Sequence, residues 1–303
     1  MDDLKNMTDI KELNDKGTEF HEAGDTQTAL QYYMRALELC EESDDPVENA
    51  MTLTNLGGVY FDFGEKDTAL EHFEEGLTLY KEADDKAGQA WAINSIGMWK
   101  ADLGLNKDAL EQYALSIDLY REVEDKEGEA WALGNAGSAY SNMLNREKAL
   151  EHYELALTAY EAIDDKEGLA TMLNNIGKIY ANTGEREKGL EYLEKSLAMR
   201  REIEDEDGEA TTLNNIGGIY ADIGDKRKAL TYFEDALKIL DKGDDRVSII
   251  TTVTNIAASY KAIGENRRAA PFEKRAKKLG KAMRNEAKKA KKARRELLRS
   301  LGN

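Results

Sequence analysis

Shifted by 40 residues, the chain meets itself. Leu53-Thr54-Asn55-Leu56-Gly57-Gly58-Val59-Tyr60 returns as Leu173-Asn174-Asn175-Ile176-Gly177-Lys178-Ile179-Tyr180, then as Leu213-Asn214-Asn215-Ile216-Gly217-Gly218-Ile219-Tyr220. Residues 165–204 and 205–244 share 18 identities in 40 positions, and the register holds from Gly17 to Ala257 without insertion or deletion. A period of this size specifies stacked supersecondary units, each burying its apolar face against the next, so it constrains the fold more than any other feature. The 303 residues therefore do not divide into two globular domains, as length alone would suggest.

Each unit reads as two helices, A and B. Asp45, Asp85, Asp125, Asp165, Asp205 and Asp245 recur just before helix A, where a carboxylate caps free backbone N–H groups. Pro46 suits the first helical position, and Asp45 with Glu48 has the spacing of a capping box. Leu53, Leu56 and Tyr60 form an apolar stripe at helical spacing. Gly24, Gly64, Gly104, Gly184, Gly224 and Gly264 end helix A, with Leu144 the exception; a left-handed residue past the helix is the usual reason for glycine there. Helix B carries Ala69-Leu70, Phe73 and Leu77, or Ala149-Leu150, Tyr153 and Leu157. With 34% charged and 41% hydrophobic residues and only two prolines, the composition suits a helix-rich soluble protein.

Leu53, Leu56, Gly57, Tyr60, Ala69 and Phe73 match the tetratricopeptide repeat (TPR) pattern, as do Leu133, Ala136, Gly137, Tyr140, Ala149 and Tyr153. The chain therefore resembles TPR proteins over roughly residues 8–282. Its 40-residue period is similar to that of the kinesin light chain-like subfamily, with the extra residues at junctions such as Lys81-Glu82-Ala83-Asp84-Asp85-Lys86. Lys100 replaces the expected tyrosine in repeat three, and repeat seven has Ala257. The resemblance implies an all-α, right-handed TPR superhelix: an α-solenoid of seven helix-turn-helix repeats with a long C-terminal helix. The expected divisions are a lead-in over 1–7, the array over 8–265, and the last B helix running into a basic cap over 266–303.

In that family helix A lines a concave groove. Taking Gly57 and its equivalents as position 0, groove residues fall at −6, −3, −2, +1 and +4 or +5. Position −2 holds Asn55, Asn135, Asn175, Asn215 and Asn255, and position −3 holds Asn14, Asn94, Asn174 and Asn214. Asparagine is a mediocre helix former, but its amide both donates and accepts. A row of such amides could hold a peptide main chain, similar to the asparagine ladder of O-GlcNAc transferase. The alternative is that these amides satisfy buried groups between units. Position −6 holds Met51, Trp91 and Trp131, then Thr171, Thr211 and Thr251. The first three suit either an apolar anchor pocket or packing on the preceding unit. Asp62, Asp102 and Asp222, with Glu22, put carboxylates on the groove and meet few cations beyond Lys11, Lys178 and Lys261. An extended, neutral or basic protein segment is the expected partner.

The net charge of −18 is divided sharply. Arg267 to Arg299 contains 15 Lys/Arg against three Glu, a net of +12, which leaves −30 on the remainder. Phe272, Ala276, Leu279 and Met283 continue an apolar stripe into this stretch, where a helix would cover the open end of the last unit; Pro271 is placed to bend it. The cluster Lys288, Lys289, Lys291, Lys292, Arg294 and Arg295 allows three readings: a solubilising cap, a surface for an acidic partner or the chain's own body, or a nucleic-acid or anionic-lipid contact. Nucleic acid is disfavoured by the acidic body and by the lack of a recognition fold.

Nothing in the sequence is organised for catalysis, metal or cofactor binding. His72 and His152 share one position two units apart and cannot converge, and His21 beside Glu22 is not a metal set. Cys40 stands where other units have Tyr80, Tyr120 and Tyr160, a packing position; a single cysteine also agrees with a reducing compartment. With no apolar run of spanning length and no signal-like start, the expected location is cytoplasmic. Oligomeric state is not legible.

Overall fold

The computed structural model describes residues 4, 6–40, 43, 45–243 and 245–301, with the side chains of residues 287 and 289–301 outside that description. Residues 1–3 and 5 of the 1–7 lead-in, and residues 302 and 303, thus lie outside the described residues. The chain forms two compact units, dividing after Asp165. The first unit holds four hairpins: α1 (Ile10–Glu22) with α2 (Thr26–Cys40), α3 (Pro46–Asp62) with α4 (Lys66–Glu82), α5 (Lys86–Asp102) with α6 (Asn106–Glu122), and α7 (Lys126–Asn142) with α8 (Arg146–Ala162). The second unit holds three: α9 (Lys166–Asn182) with α10 (Arg186–Glu202), α11 (Glu206–Asp222) with α12 (Lys226–Leu240), and α13 (Arg246–Ala262) with α14 (Asn266–Leu301). Each unit is a helical repeat solenoid, and no strand occurs among the described residues.

The turns explain why the period is rigid. Gly64 has φ 74°, and the N–H groups of Gly64 and Glu65 donate to the carbonyls of Phe61 and Tyr60 at 2.9 and 2.8 Å, closing the end of α3 with a Schellman motif. Leu144 adopts the same left-handed conformation, φ 58°, and the bond from Asn145 N–H to the Tyr140 carbonyl forms at 2.9 Å. The exception in sequence is thus no exception in backbone. The junctions use the motif too: Asp84 has φ 55° and the Asp85 N–H donates to the Tyr80 carbonyl at 2.9 Å. Asp85 then caps α5 by accepting from Gly88 N–H at 3.1 Å. One residue closes one helix and opens the next, which fixes the length of the junction.

Asp125, Asp205 and Asp245 cap in the same way. At Asp45 the carboxylate accepts from Val47 and Glu48 N–H at 2.9 and 3.3 Å. The reciprocal arm of a capping box is made differently, because the Asp45 N–H donates to Ser43 Oγ at 3.1 Å; a hydroxyl two residues back reaches it more directly than Glu48 can.

Within each hairpin the position 0 glycine lets an aromatic ring of helix B lie against helix A. A Cβ on Gly57 would stand 2.5 Å from the Phe73 ring, and one on Gly217 would stand 2.6 Å from Phe233, far inside contact distance. A second ring pair flanks this contact: Tyr60 stacks on His72 at 5.3 Å and Tyr220 on Tyr232 at 5.4 Å between centroids. Tyr140 meets His152 at 4.9 Å, so both B-helix histidines are ring partners. In the second unit Phe272, Ala276 and Leu279 of α14 pack on the buried cluster that includes Val253 and Ile256. Ion pairs from Arg275 to Asp241, Lys261 to Glu273 and Arg246 to Glu286 hold this helix. Pro271 lies inside it without ending it.

Candidate functional site: the helix A face

In the first unit the −2, +1, +4, +5 and −6 positions of successive A helices converge. They line a cavity of about 350 Å³, whose walls include Asn55, Phe61, Asp62, Trp91, Met98 and Trp131. An adjoining cavity of about 400 Å³ shares Asn55 and Trp91 and adds Met51, Tyr80, Asp85 and Asp125. Of the residues singled out from sequence, Met51, Asn55, Asp62, Trp91 and Trp131 are therefore brought together on one surface of α1, α3, α5 and α7. Phe61 and Met98 were not singled out individually; their signal was only their place at +4 and +1 of the repeat.

The asparagines fall into two classes. Those at −3 face inward: Asn14 is 1% exposed and Asn94 0%. Asn14, Asn94 and Asn174 each take up the amide of the −2 asparagine one repeat later, whereas Asn214 is half-buried and accepts from Thr252 Oγ1 at 3.1 Å. Asn55 Nδ2 donates to Asn14 Oδ1 and Asn135 Nδ2 to Asn94 Oδ1, both at 3.4 Å, and in the second unit Asn215 Nδ2 donates to Asn174 Oδ1 at 2.9 Å. Asn14 also donates to Thr52 Oγ1, and Asn214 to Thr252 Oγ1, each at 2.8 Å. The −3 amides thus tie neighbouring A helices, which matters because an unpaired amide inside would cost about 1–3 kcal/mol. Asn135, Asn175, Asn215 and Asn255 are half-buried on the face itself. Beyond its bond to the buried partner, Asn135 keeps its carbonyl oxygen and one N–H open among the described residues, as does Asn215. Asn175 Oδ1 accepts from Asn174 Nδ2 at 3.5 Å.

The carboxylates are less free than the sequence suggested. Asp62 accepts from His21 Nε2 at 2.7 Å, and Asp102 forms an ion pair with Lys66. Glu22 and Asp222 are exposed. Tyr33, at the back of the 350 Å³ cavity, is fully buried; burial pushes its phenol up to about 12, against the hydrogen bond with Thr18 that lowers it. In the second unit Arg200 takes the position of Tyr80 and Tyr120. It is 7% exposed, paired with Asp205, and donates to Thr171 Oγ1 at 3.2 Å. A charged residue replacing a core tyrosine was not foreseen, because its partners lie in the turn after its own helix and in the preceding A helix. Thr211 and Thr251 are exposed.

Cys40 is 4% exposed, with Sγ 3.7 Å from Thr52 Oγ1, and burial pushes its thiol up, the opposite of a reactive nucleophile. Among the described residues no group of three or more His, Cys, Asp or Glu side chains could hold a metal ion, and no helix is long and apolar enough to cross a membrane. Lys288 is exposed. The side chains of Lys289, Lys291, Lys292, Arg294 and Arg295 lie outside the described residues.

The family model of the tetratricopeptide repeat matches residues 13–82, 88–162 and 168–242. No curated protein matches the chain. Among solved structures, BtubC (BKLC) from P. vanneervenii is similar at 22% identity, with 73% of this chain and 90% of that one covered and a TM-score of 0.62. A Rap protein complexed with Competence and Sporulation Factor is similar at 18% identity, covering 89% and 74%, with a TM-score of 0.69. A putative kinesin light chain repeat protein from Podosopora anserina is similar at 13% identity, covering 66% and 99%, with a TM-score of 0.54. These likenesses share the fold alone. With the family model matching three stretches that together span most of the chain, and with caps, glycines and ring pairs recurring every 40 residues, this chain belongs to the tetratricopeptide repeat family and is a protein-interaction scaffold.

Proposed function

We propose that the chain is a non-enzymatic scaffold that holds an extended segment of a partner protein along its helix A face. The observation that carries the reading is the convergence of repeat-equivalent side chains on one wall, with Asn55, Trp91 and Trp131 around the same cavity. A ligand crossing such a face meets chemically similar groups at regular intervals. Packed helices stand roughly 8–10 Å apart and an extended chain covers roughly 3.3 Å per residue, so one repeat serves about three residues. Half-buried amides such as Asn135 and Asn215 suit a peptide main chain, which offers the complementary donor and acceptor. The similar Rap protein has Competence and Sporulation Factor bound, which supports a protein or peptide as the ligand class. The charge on the face, and not the basic tail, favours a neutral or basic segment.

The test exploits Gly218, where an added Cβ meets nothing within 4 Å, so a tryptophan there blocks the face without disturbing the core. Decapeptides selected against the wild-type chain from a displayed random library should lose binding to Gly218→Trp and to Asn175→Ala/Asn255→Ala, and keep it with Glu74→Ala on α4. Selected peptides that ignore the face variants and depend on B-helix residues would refute the reading.

A further inference from the structure

We propose that the cavity of the first unit is the specificity pocket of this face and takes a cationic side chain, an arginine, from the bound segment; the inference rests on the groove reading and narrows it. Its walls combine two kinds of group. Phe61, Trp91, Met98 and Trp131 provide aromatic and polarisable surface, and Glu22 and Asp62 provide carboxylates. The adjoining cavity around Trp91 adds Asp85 and Asp125. Neither lining contains a lysine or an arginine.

Asp85 and Asp125 are engaged as helix caps, so the charge left for a ligand to answer is that of Glu22 and Asp62. Glu22 is exposed and makes no ion pair among the described residues, and Asp62 meets only His21, at 2.7 Å. A purely apolar side chain entering the cavity would cover these carboxylates without neutralising them, which opposes binding. A cation answers the carboxylates and is also attracted to the faces of tryptophan and phenylalanine rings. Guanidinium fits better than ammonium because it is planar, stacks on rings and forks onto a carboxylate.

The indoles supply a second, independent sign. Trp99 donates its Nε1–H to the Lys66 carbonyl at 2.8 Å, a structural role. Among the described residues Trp91 and Trp131 donate to no protein acceptor, although both are half-buried in the wall. Two open N–H donors beside an arginine pocket are placed to donate to the carbonyls of the segment that carries it. The cavity then orients main chain and side chain together.

Three tryptophans make the indole N–H signals of the full ¹⁵N-labelled chain easy to assign. They are followed with acetylated, amidated heptapeptides of sequence Gly-Ser-Ala-Xaa-Ala-Ser-Gly, where Xaa is arginine, lysine, citrulline or phenylalanine. The arginine peptide should shift the Trp91 and Trp131 signals, spare that of Trp99, and bind roughly tenfold more tightly than its neutral isostere citrulline. Glu22→Gln/Asp62→Asn should remove most of that difference and leave the citrulline peptide unchanged. Citrulline or phenylalanine binding as tightly as arginine overturns the pocket, as does the absence of an indole shift with every peptide. Saturable shifts at Asn135 and Asn215 without indole shifts would sink the pocket and leave the groove standing. Shifts confined to B helices would remove both.

Discussion

The buried asparagines offer a quantitative test of how this array holds together. Asn174 on α9 is 5% exposed and accepts from Asn215 Nδ2 on α11 at 2.9 Å. Asn174→Ala removes the acceptor, losing about 1 kcal/mol of net hydrogen bonding plus a little packing. Alanine's stronger helix preference returns roughly 0.5–0.7 kcal/mol, so the expected loss is about 1 kcal/mol. Asn215→Ala is different in kind, because it leaves the Asn174 carbonyl inside without its donor. That costs about 1–3 kcal/mol, again reduced by the gain in helix preference. In the double variant the orphaned oxygen is gone, so the combined loss should fall short of the sum by about 1 kcal/mol. Repeat arrays need not unfold in one step, so the assay is native-state hydrogen exchange of α9 and α11 amides, which reads local opening free energies. Asn255→Ala, half-buried and with no hydrogen bond among the described residues, should stay within about 0.5 kcal/mol of wild type. Strict additivity, with coupling under about 0.3 kcal/mol, would refute the view that these amides tie one A helix to the next.

Two further perturbations test the core. Gly217→Ala drives a Cβ to 2.6 Å from the Phe233 ring and should destabilise the second unit by about 1–3 kcal/mol; an unchanged melting temperature would mean the ring is not held there. The buried phenols predict alkaline weakness. Tyr33 is neutral when protonated and its pKa rises to about 12 in the fold from about 10 unfolded, so the native state binds that proton more tightly. Its contribution, roughly 2–3 kcal/mol, is complete below pH 10 and lost as pH climbs from there to about 12. Burial raises Tyr80, Tyr113 and Tyr120 further in the same direction. Urea titrations across that window should show stability falling with pH, and phenolate absorbance should appear together with unfolding; phenolate forming in the folded chain would contradict the burial argument.

Much of this molecule was legible in its sequence because local chemistry repeats with the period. The capping aspartates, the glycines at φ near 80° and the ring opposite each position 0 glycine are decided within one hairpin, and a 40-residue register exposes them directly. The face was legible for the same reason: a residue six before or two before position 0 has one orientation on a helix whose neighbours are all alike. Sequence alone could not divide Asn174 from Asn175. Adjacent residues differ by about 100° around a helix, and both lie near the edge of the buried stripe, so the side that faces inward depends on where the neighbouring A helix sits.

Nor could the sequence assign partners across the repeat. His21 beside Asp62, Lys66 beside Asp102 and Thr171 beside Arg200 are separated by 29 to 41 residues, and each pairing exists only after two helices have packed. Leu144 and Asp84 entering the left-handed region follow likewise from turns whose hydrogen bonds outweigh a local preference of about 1–2 kcal/mol. The sequence by itself determined the repeat, its helices and the face they present. Tertiary packing decided which polar groups on that face are tied inward and which remain open to solvent, because the energy of a polar group is set by its partner across space and not by its neighbour along the chain.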